Sequence, residues 1–238
     1  MKITYIHHSS FSVELENAVL LFDYFKGTLP EFPAGKPLFI FASHFHADHY
    51  DPVIFQMGEK RENVFYILSK EIGKKIPEEY RKRYKDRIRL VKAGERFCLN
   101  ISEESLIVET FHSTDEGVAF WLSCEGKEIY HAGDLNNWWW EGEDMAWNRN
   151  MAASYKQEMK KLSGRTADLA FIPVDPRLEQ WFYLGAAGFM EQADTKWIFP
   201  MHFWEDYTII PKLIEHPSSE GWRDRIVKIH KEGEEFIR

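Results

Sequence analysis

The sequence predicts an α/β protein (α+β in the way its hairpins are set apart) with two facing β-sheets and helices on the outside. Three observations carry that expectation. Hairpin-like pairs of short apolar runs are followed by alternating helix and strand patterns, and this order is played twice. Several buried-strand patterns end on a histidine or aspartate. No linker or low-complexity stretch interrupts the 238 residues, so 1–238 reads as one domain sharing a core.

Taken in order, Ile3–His7 and Ser12–Leu15 alternate as strands, and a turn at Glu16-Asn17-Ala18 leads into the apolar strand Val19–Asp23. A Pro/Gly-rich loop, Gly27–Pro37, precedes the strand Leu38–Ala42. Val53–Phe55 reads as a short helix, Val64–Leu68 as a buried strand, and Ser69 as the N-cap of a following helix. The mixed charges of Lys74–Arg87 mark a solvated face. Strands at Arg87–Val91, Arg96–Ile101 and Ser105–Phe111 come next, the last delivering His112. Val118–Leu122 and Glu128–Tyr130 form a hairpin around Glu125-Gly126 that runs into His131-Ala132-Gly133-Asp134. From Trp138 to Leu162 the period becomes helical, with Gly164 as the stop. Leu169–Val174 is a buried strand, Leu184–Ala193 a helix, and Trp197–Phe199 a strand delivering His202. A helix at Ile209–Glu215 and strands at Ile226–Ile229 and Phe236 close the chain.

Composition narrows the class of function. A net charge of −8 argues against a nucleic-acid partner, whose phosphates need a basic face. It leaves room for a small-molecule substrate, anionic ones included, because bound cations would invert the local charge. No apolar run approaches the ~20 residues of a membrane helix. The N-terminus enters a strand pattern without a signal peptide, so a cytoplasmic protein with no membrane partner is expected. Cys98 and Cys124 lie in alternating apolar runs and read as buried reduced thiols. Nothing in the sequence sets the oligomeric state.

The densest chemistry is Ser43-His44-Phe45-His46-Ala47-Asp48-His49, directly after the apolar run Leu38–Ala42. One loop histidine is ordinarily a solvated side chain. Four imidazole and carboxylate groups at this density after a buried strand point to a divalent metal. His44 and His46, two residues apart, share a face if the strand continues. Asp48 and His49, beyond the turn, can face a second position. His112, Asp134 and His202, each at a strand end, enlarge the set to five histidines and two aspartates, enough for two metals.

These motifs resemble the metallo-β-lactamase superfamily. The family's H-x-H-x-D-H is matched by His44-Phe45-His46-Ala47-Asp48-His49, and its upstream strand-end aspartate by Asp23. Its later His, Gly-Asp and His motifs are matched by His112, Gly133-Asp134 and His202, in order. The resemblance implies an αββα four-layer sandwich with the metals at one edge. It assigns His44, His46 and His112 to one metal, and Asp48, His49 and His202 to the other. Asp134 would bridge them, and Asp23 would orient the ligand loop from beneath. The opening His8-Ser9-Ser10-Phe11 is similar to that of the compact branch holding L-ascorbate 6-phosphate lactonase-like proteins, with His7 where that branch has glycine.

The function implied is hydrolysis of a small-metabolite lactone or phosphodiester by a metal-bound hydroxide, with two zinc ions expected and manganese or iron possible. Asp48 and Asp134 are the residues to orient the water and pass on its proton. His131, three residues before Asp134, is a candidate proton donor, set against a strand-end histidine bonded to backbone. His8 is placed near the metals. Trp139 and Trp140 of the Trp138-Trp139-Trp140 run are expected to roof the cleft, with Trp204 on its rim. Arg177 is a candidate for a substrate carboxylate or phosphate, set against a salt bridge to Asp175 or Glu179. Two other readings use the same ligands: a mononuclear iron oxidoreductase of the persulfide dioxygenase type, and a metal-binding protein without catalysis.

Overall fold

The computed structural model describes residues 1–101 and 104–238. The first half of the chain supplies β1 (Lys2–His7), β2 (Ser10–Glu14), β3 (Val19–Phe22), β4 (Leu38–Ala42), α1 (Met57–Lys60), β5 (Val64–Ser69), α2 (Glu78–Arg83) and β6 (Ile88–Val91). The second half supplies β7 (Arg96–Ile101), β8 (Glu104–His112), β9 (Val118–Cys124), β10 (Lys127–His131), α3 (Met145–Lys160), β11 (Thr166–Pro173), α4 (Leu184–Gln192), β12 (Asp194–Met201), α5 (Ile209–Glu215) and β13 (Glu235–Ile237). One sheet has the order β13-β1-β2-β3-β4-β5-β6 and the other β12-β11-β10-β9-β8-β7. This is the α/β sandwich of two mixed sheets with flanking helices. No helix among the described residues is long and apolar enough to cross a membrane.

Each sheet is antiparallel in its hairpin half and parallel in its helix-linked half. The pairs β1–β2 and β2–β3 are antiparallel and β3–β4–β5–β6 parallel. Likewise β7 through β10 are antiparallel and β10–β11–β12 parallel. Strands β1, β3 and β4 therefore end on one edge of the first sheet, and β8, β10, β11 and β12 on one edge of the second. The loops that follow all seven emerge where the chemistry gathers.

Side-chain alternation builds the layers. On β4, Phe39 and Phe41 join the cluster between the sheets, whereas Leu38, Ile40 and Ala42 join the cluster beneath the outer helices with Ile54, Phe55 and Tyr84. An aromatic seam locks the sheets together: Phe41 on Phe120 at 5.2 Å, Phe22 on Phe171 at 5.8 Å and Phe11 on Phe171 at 4.6 Å. Such ring pairs contribute roughly 0.5–1.5 kcal/mol each beyond their burial.

Four local expectations are corrected. The helix expected from Trp138 starts only at Met145, where the Asp144 carboxylate caps the Trp147 N–H at 2.8 Å. Upstream, the bulky Trp138-Trp139-Trp140 and Gly142 disfavour a helix, and the chain runs irregularly. Ile226–Ile229 is no strand, making a single bridge from Ile226 to Ile198. Ser69 makes no capping bond; its hydroxyl donates to Glu71 at 2.6 Å instead. Cys124 is buried, but Cys98 lies exposed on β7, an edge strand whose outer face meets solvent.

One glycine governs how closely the sheets meet at the site edge. Gly117, at φ +72°, sits where an added Cβ would lie 1.9 Å from the Ser43 carbonyl oxygen and 2.7 Å from His44 Cβ. Its neighbour Val118 donates its N–H to that carbonyl at 2.9 Å. Gly117→Ala should therefore destabilise the protein by roughly 2–4 kcal/mol, both from the contact and from the backbone conformation. Thermal unfolding of the two proteins checks this: a fall in Tm of about 5–15 °C is expected.

Candidate metal centre

Two groups of ligand-type side chains meet at the common edge. His8, Asp48, His49 and His202 form one, His44, His46, Asp115 and Asp134 the other, and within each group one ligand-type atom per residue lies within 4.8 Å of the rest. Asp134 faces both. Its Oδ2 is 3.5 Å from His44 Nε2, while its Oδ1 is 3.2 Å from His49 Nε2 and 3.4 Å from His202 Nε2.

The histidines are aimed from behind by carboxylates. Asp23, with no exposure, accepts from the Ser43 N–H at 2.7 Å, the Ser43 hydroxyl at 2.7 Å and His49 Nδ1 at 2.8 Å. The Ser43 hydroxyl oxygen lies 2.9 Å from His44 Nδ1, so the same carboxylate orients two rings. Asp175, also fully buried, accepts from His202 Nδ1 at 2.9 Å. Donation from each Nδ1 turns Nε2 into the site, and in the neutral ring that nitrogen carries the lone pair a cation takes. The inward atoms His8 Nε2, His44 Nε2, His49 Nε2 and Asp134 Oδ1 are buried without a hydrogen-bond partner among the described residues. Buried polar atoms left in this way are costly unless something else satisfies them. A divalent cation fits these atoms, and three imidazoles with carboxylates are a donor set for zinc or iron.

The backbone is bent to make this edge. His8, Asp23, His202, Trp204 and Glu205 all have positive φ, between 43° and 73°. Conformations of this kind cost of order 1–3 kcal/mol in a non-glycine residue and persist where surrounding contacts hold them. At His8 one such contact is visible, its N–H donating to the Tyr5 hydroxyl at 3.0 Å. Gly133 serves the same edge by close approach, since a Cβ there would meet Ser43 Cβ at 2.6 Å. Thr114 joins two ligand loops: its hydroxyl donates to the Asn136 carbonyl at 2.6 Å and accepts from the Asn136 N–H at 3.0 Å.

Charge is divided unevenly between the rings. Burial pushes His8 down to about 4 and His44 down to about 3, so both are neutral at physiological pH. Burial opposes charge on His49 too, but the Asp134 and Asp23 carboxylates outweigh it and hold His49 well above its ordinary value. Asp134 is held well below the carboxylate range, burial being overcome by His49 and His202.

One expected ligand lies away from both groups, and His131 takes the backbone-bonded alternative. His112 joins neither group. It is exposed, still in the β8 ladder opposite Val118, and lines a groove with Lys70 and Lys92. The loop beyond it carries Asp115 to the position expected of His112, with Asp115 Oδ2 3.5 Å from His46 Nδ1. His131 is fully buried and stacked on Phe22 at 4.8 Å, with Nε2 3.1 Å from the Ser9 carbonyl and Nδ1 accepting from the Gly133 N–H at 3.1 Å. Both nitrogens are engaged by backbone, which leaves none for a leaving group.

A cleft of about 330 Å³ opens over the site, and His46, Asp48, Asp115, Asp134 and His202 reach it. Its walls include Trp138, Trp140, Trp147 and Met151. Trp139, expected as roof, turns away and packs on Trp181 at 5.3 Å. A tight turn, in which the Trp139 N–H donates to the Asn137 carbonyl at 2.8 Å, separates the three rings, and Trp138 and Trp140 point inward together. Trp138 also donates its indole N–H to the Asp134 carbonyl at 2.9 Å. Arg177 does both things considered for it: it pairs with Asp175 and lines the cleft. Trp204 covers the His8 ring at 4.2 Å and is 43% exposed.

With His49 protonated in the metal-free protein, binding of a cation must displace a proton. Zinc uptake near pH 7 should release about one proton per chain, and affinity should rise with pH. Calorimetry in buffers of different ionisation enthalpy measures the release; uptake with no proton transfer would contradict a charged His49.

Comparison with known proteins agrees with this fold. A family model described as a β-lactamase superfamily domain matches residues 2–202. A UPF0173 metal-dependent hydrolase of Alkaliphilus metalliredigens is 24% identical over 252 positions, covering 97% of this chain and 96% of the relative. Igni18, a metallo hydrolase of Ignicoccus hospitalis, superposes with a TM-score of 0.65 at 17% identity, over 99% of this chain and 97% of the other. CmlA, a diiron β-hydroxylase of Streptomyces venezuelae, does so at 0.59 and 12% identity, over 96% of this chain and 52% of the other. At such identities structural likeness speaks to the fold alone, and this fold carries more than one chemistry. The family model, spanning most of the residues that build both sheets and all members of the two ligand groups, places the chain in the β-lactamase superfamily, with the metallo-β-lactamase fold.

Proposed function

We propose that the protein is a dinuclear metal hydrolase acting on a small-metabolite lactone or phosphodiester, with zinc as its metal and manganese or iron as workable substitutes. The observation that carries this reading is Asp134, which turns one carboxylate oxygen toward each ligand group. Buried ring nitrogens without protein partners support it, as does the hydrolase name of the relative aligned along almost its full length. The opening His8-Ser9-Ser10-Phe11 favours the compact lactonase-like branch within the superfamily.

His44, His46 and Asp115 would hold one metal, and His8, Asp48, His49 and His202 the other, with Asp134 facing both. Bound divalent ions polarise a carbonyl or phosphoryl oxygen and lower the pKa of a water to ~7. The chain's residues do the rest. Asp23 and Asp175 fix the imidazoles, so little reorganisation is needed when charge develops in the transition state. Asp48 and Asp134 face the cleft, orient the attacking water and take up its proton at a carboxylate oxygen. The tryptophan walls shed bulk water and confine the substrate over these groups.

Two experiments on one sample test the reading. Mass spectrometry should find two metal equivalents per chain, and a panel of lactones and phosphodiesters should show turnover that chelation abolishes and zinc restores. Asp134→Ala should lose at least one equivalent and drop kcat by about 100-fold or more. Full metal content and full turnover in that variant would remove Asp134 from the shared position.

A further inference from the structure

The cleft walls and Arg177 narrow the substrate, an inference that rests on the hydrolase reading for its reaction but not for its binding chemistry. Trp138 and Trp140 present indole rings 6.0 Å apart and only 5° from parallel. Trp140 is fixed by its own backbone, whose N–H donates to the Asn148 side chain at 3.0 Å and whose carbonyl accepts from it at 2.8 Å. Trp147, 37% exposed, and Met151 extend the wall from the first turns of α3. Flat faces set by hydrogen bonds suit a planar ring, which stacks without having to reorder the wall.

Arg177 supplies the polar end. Its backbone N–H donates to Asp175 Oδ1 at 2.8 Å and its Nε to Oδ2 at 2.9 Å, while Nη2 also pairs with that carboxylate. The guanidinium lies 5.6 Å from the Trp140 ring and 5.3 Å from the Trp204 ring. Pinned on one edge by Asp175 and flanked by indoles, it has little rotamer freedom left to lose. Nη1 takes no protein hydrogen bond among the described residues, and half of the side chain stays open to the cleft. A guanidinium held in this way is organised in advance for an anionic oxygen. A cavity of about 330 Å³ is at the small end for ligand sites and suits a bicyclic ring with one substituent.

We propose that this cleft selects substrates with a planar aromatic group bearing an anionic substituent: the ring lies along Trp138, Trp140 and Trp147, and the anion bonds Arg177 Nη1. This places the bond to be cut over Asp48 and Asp134, between the ring pocket and the histidines.

Binding, not turnover, tests it. Naphthalene-1-sulfonate, naphthalene-1-methanol and cyclohexanesulfonate are titrated calorimetrically into metal-loaded protein. The sulfonate is a weak metal ligand and so reports on Arg177. The naphthalenesulfonate should bind about tenfold tighter than either comparator. Arg177→Gln should remove the advantage of the charge, bringing naphthalenesulfonate to the level of naphthalenemethanol and leaving the latter unchanged. Trp140→Ala should weaken both naphthalene probes about fivefold or more and spare cyclohexanesulfonate. Metal content is measured in every variant. Where Arg177→Gln loses metal, Arg177→Lys, which keeps the charge but not the fork, should shrink the preference for the sulfonate to about threefold. Equal affinity for charged and neutral naphthalenes, equal losses for both in the Arg177 variants, or no effect of Trp140→Ala would overturn the proposal. Selective binding without hydrolysis of any panel compound would count against the hydrolase reading and leave this one standing.

Discussion

A carboxylate with no solvent exposure underlies the whole site. Asp23 ends β3 at positive φ, surrounded by apolar strands, and accepts three hydrogen bonds from Ser43 and His49. Burying a charge in this way costs several kcal/mol unless it is paired and bonded. Burial raises its proton affinity, yet the bond from His49 and the neighbouring His131 hold it below the ordinary carboxylate range. The fold thus carries a buried anion at the sheet edge, and through Ser43 and His49 that anion determines which way two ligand rings face. Deleting Asp23 would leave those donors buried and the loop 43–49 without its anchor.

Asp175 repeats the device on the other sheet. It fixes His202 from behind and Arg177 in front, so one carboxylate links the histidine cluster to the wall of the cleft. Both aspartates follow parallel strands, β3 and β11, in equivalent halves of their sheets. The αββα arrangement accounts for this: two sheets of similar construction face each other, and each brings an anchored histidine to the shared edge. Asp134, between them, receives rings from both sides.

Much of this was legible in the sequence, for identifiable reasons. Strand alternation on Leu38–Ala42 and the density of His44, His46, Asp48 and His49 are local signals, and local signals read well. Asp23 was legible because a carboxylate at the end of an apolar strand demands a partner. His112 misled because its place in the order of motifs does not reveal where the β8 ladder ends; Asp115, three residues on, lies in the loop that reaches the site. Asp175 showed only as part of a loop near the site, since its bond to His202 joins residues 27 apart in sequence. A run of three tryptophans does not reveal which rings face the cleft; the irregular segment turns Trp138 and Trp140 inward and sends Trp139 onto Trp181. His8 was placed close by but not counted among the ligands, as no periodic pattern signals a positive φ at a histidine.

The proposed function requires two adjacent metal positions sharing Asp134. Anomalous scattering at the zinc edge from crystals of zinc-loaded protein tests it most directly. Two peaks roughly 3.5–4 Å apart are predicted, one among His8, Asp48, His49 and His202, the other among His44, His46 and Asp115, with an Asp134 oxygen at each. A single peak, or one bound by His112 in place of Asp115, would contradict it.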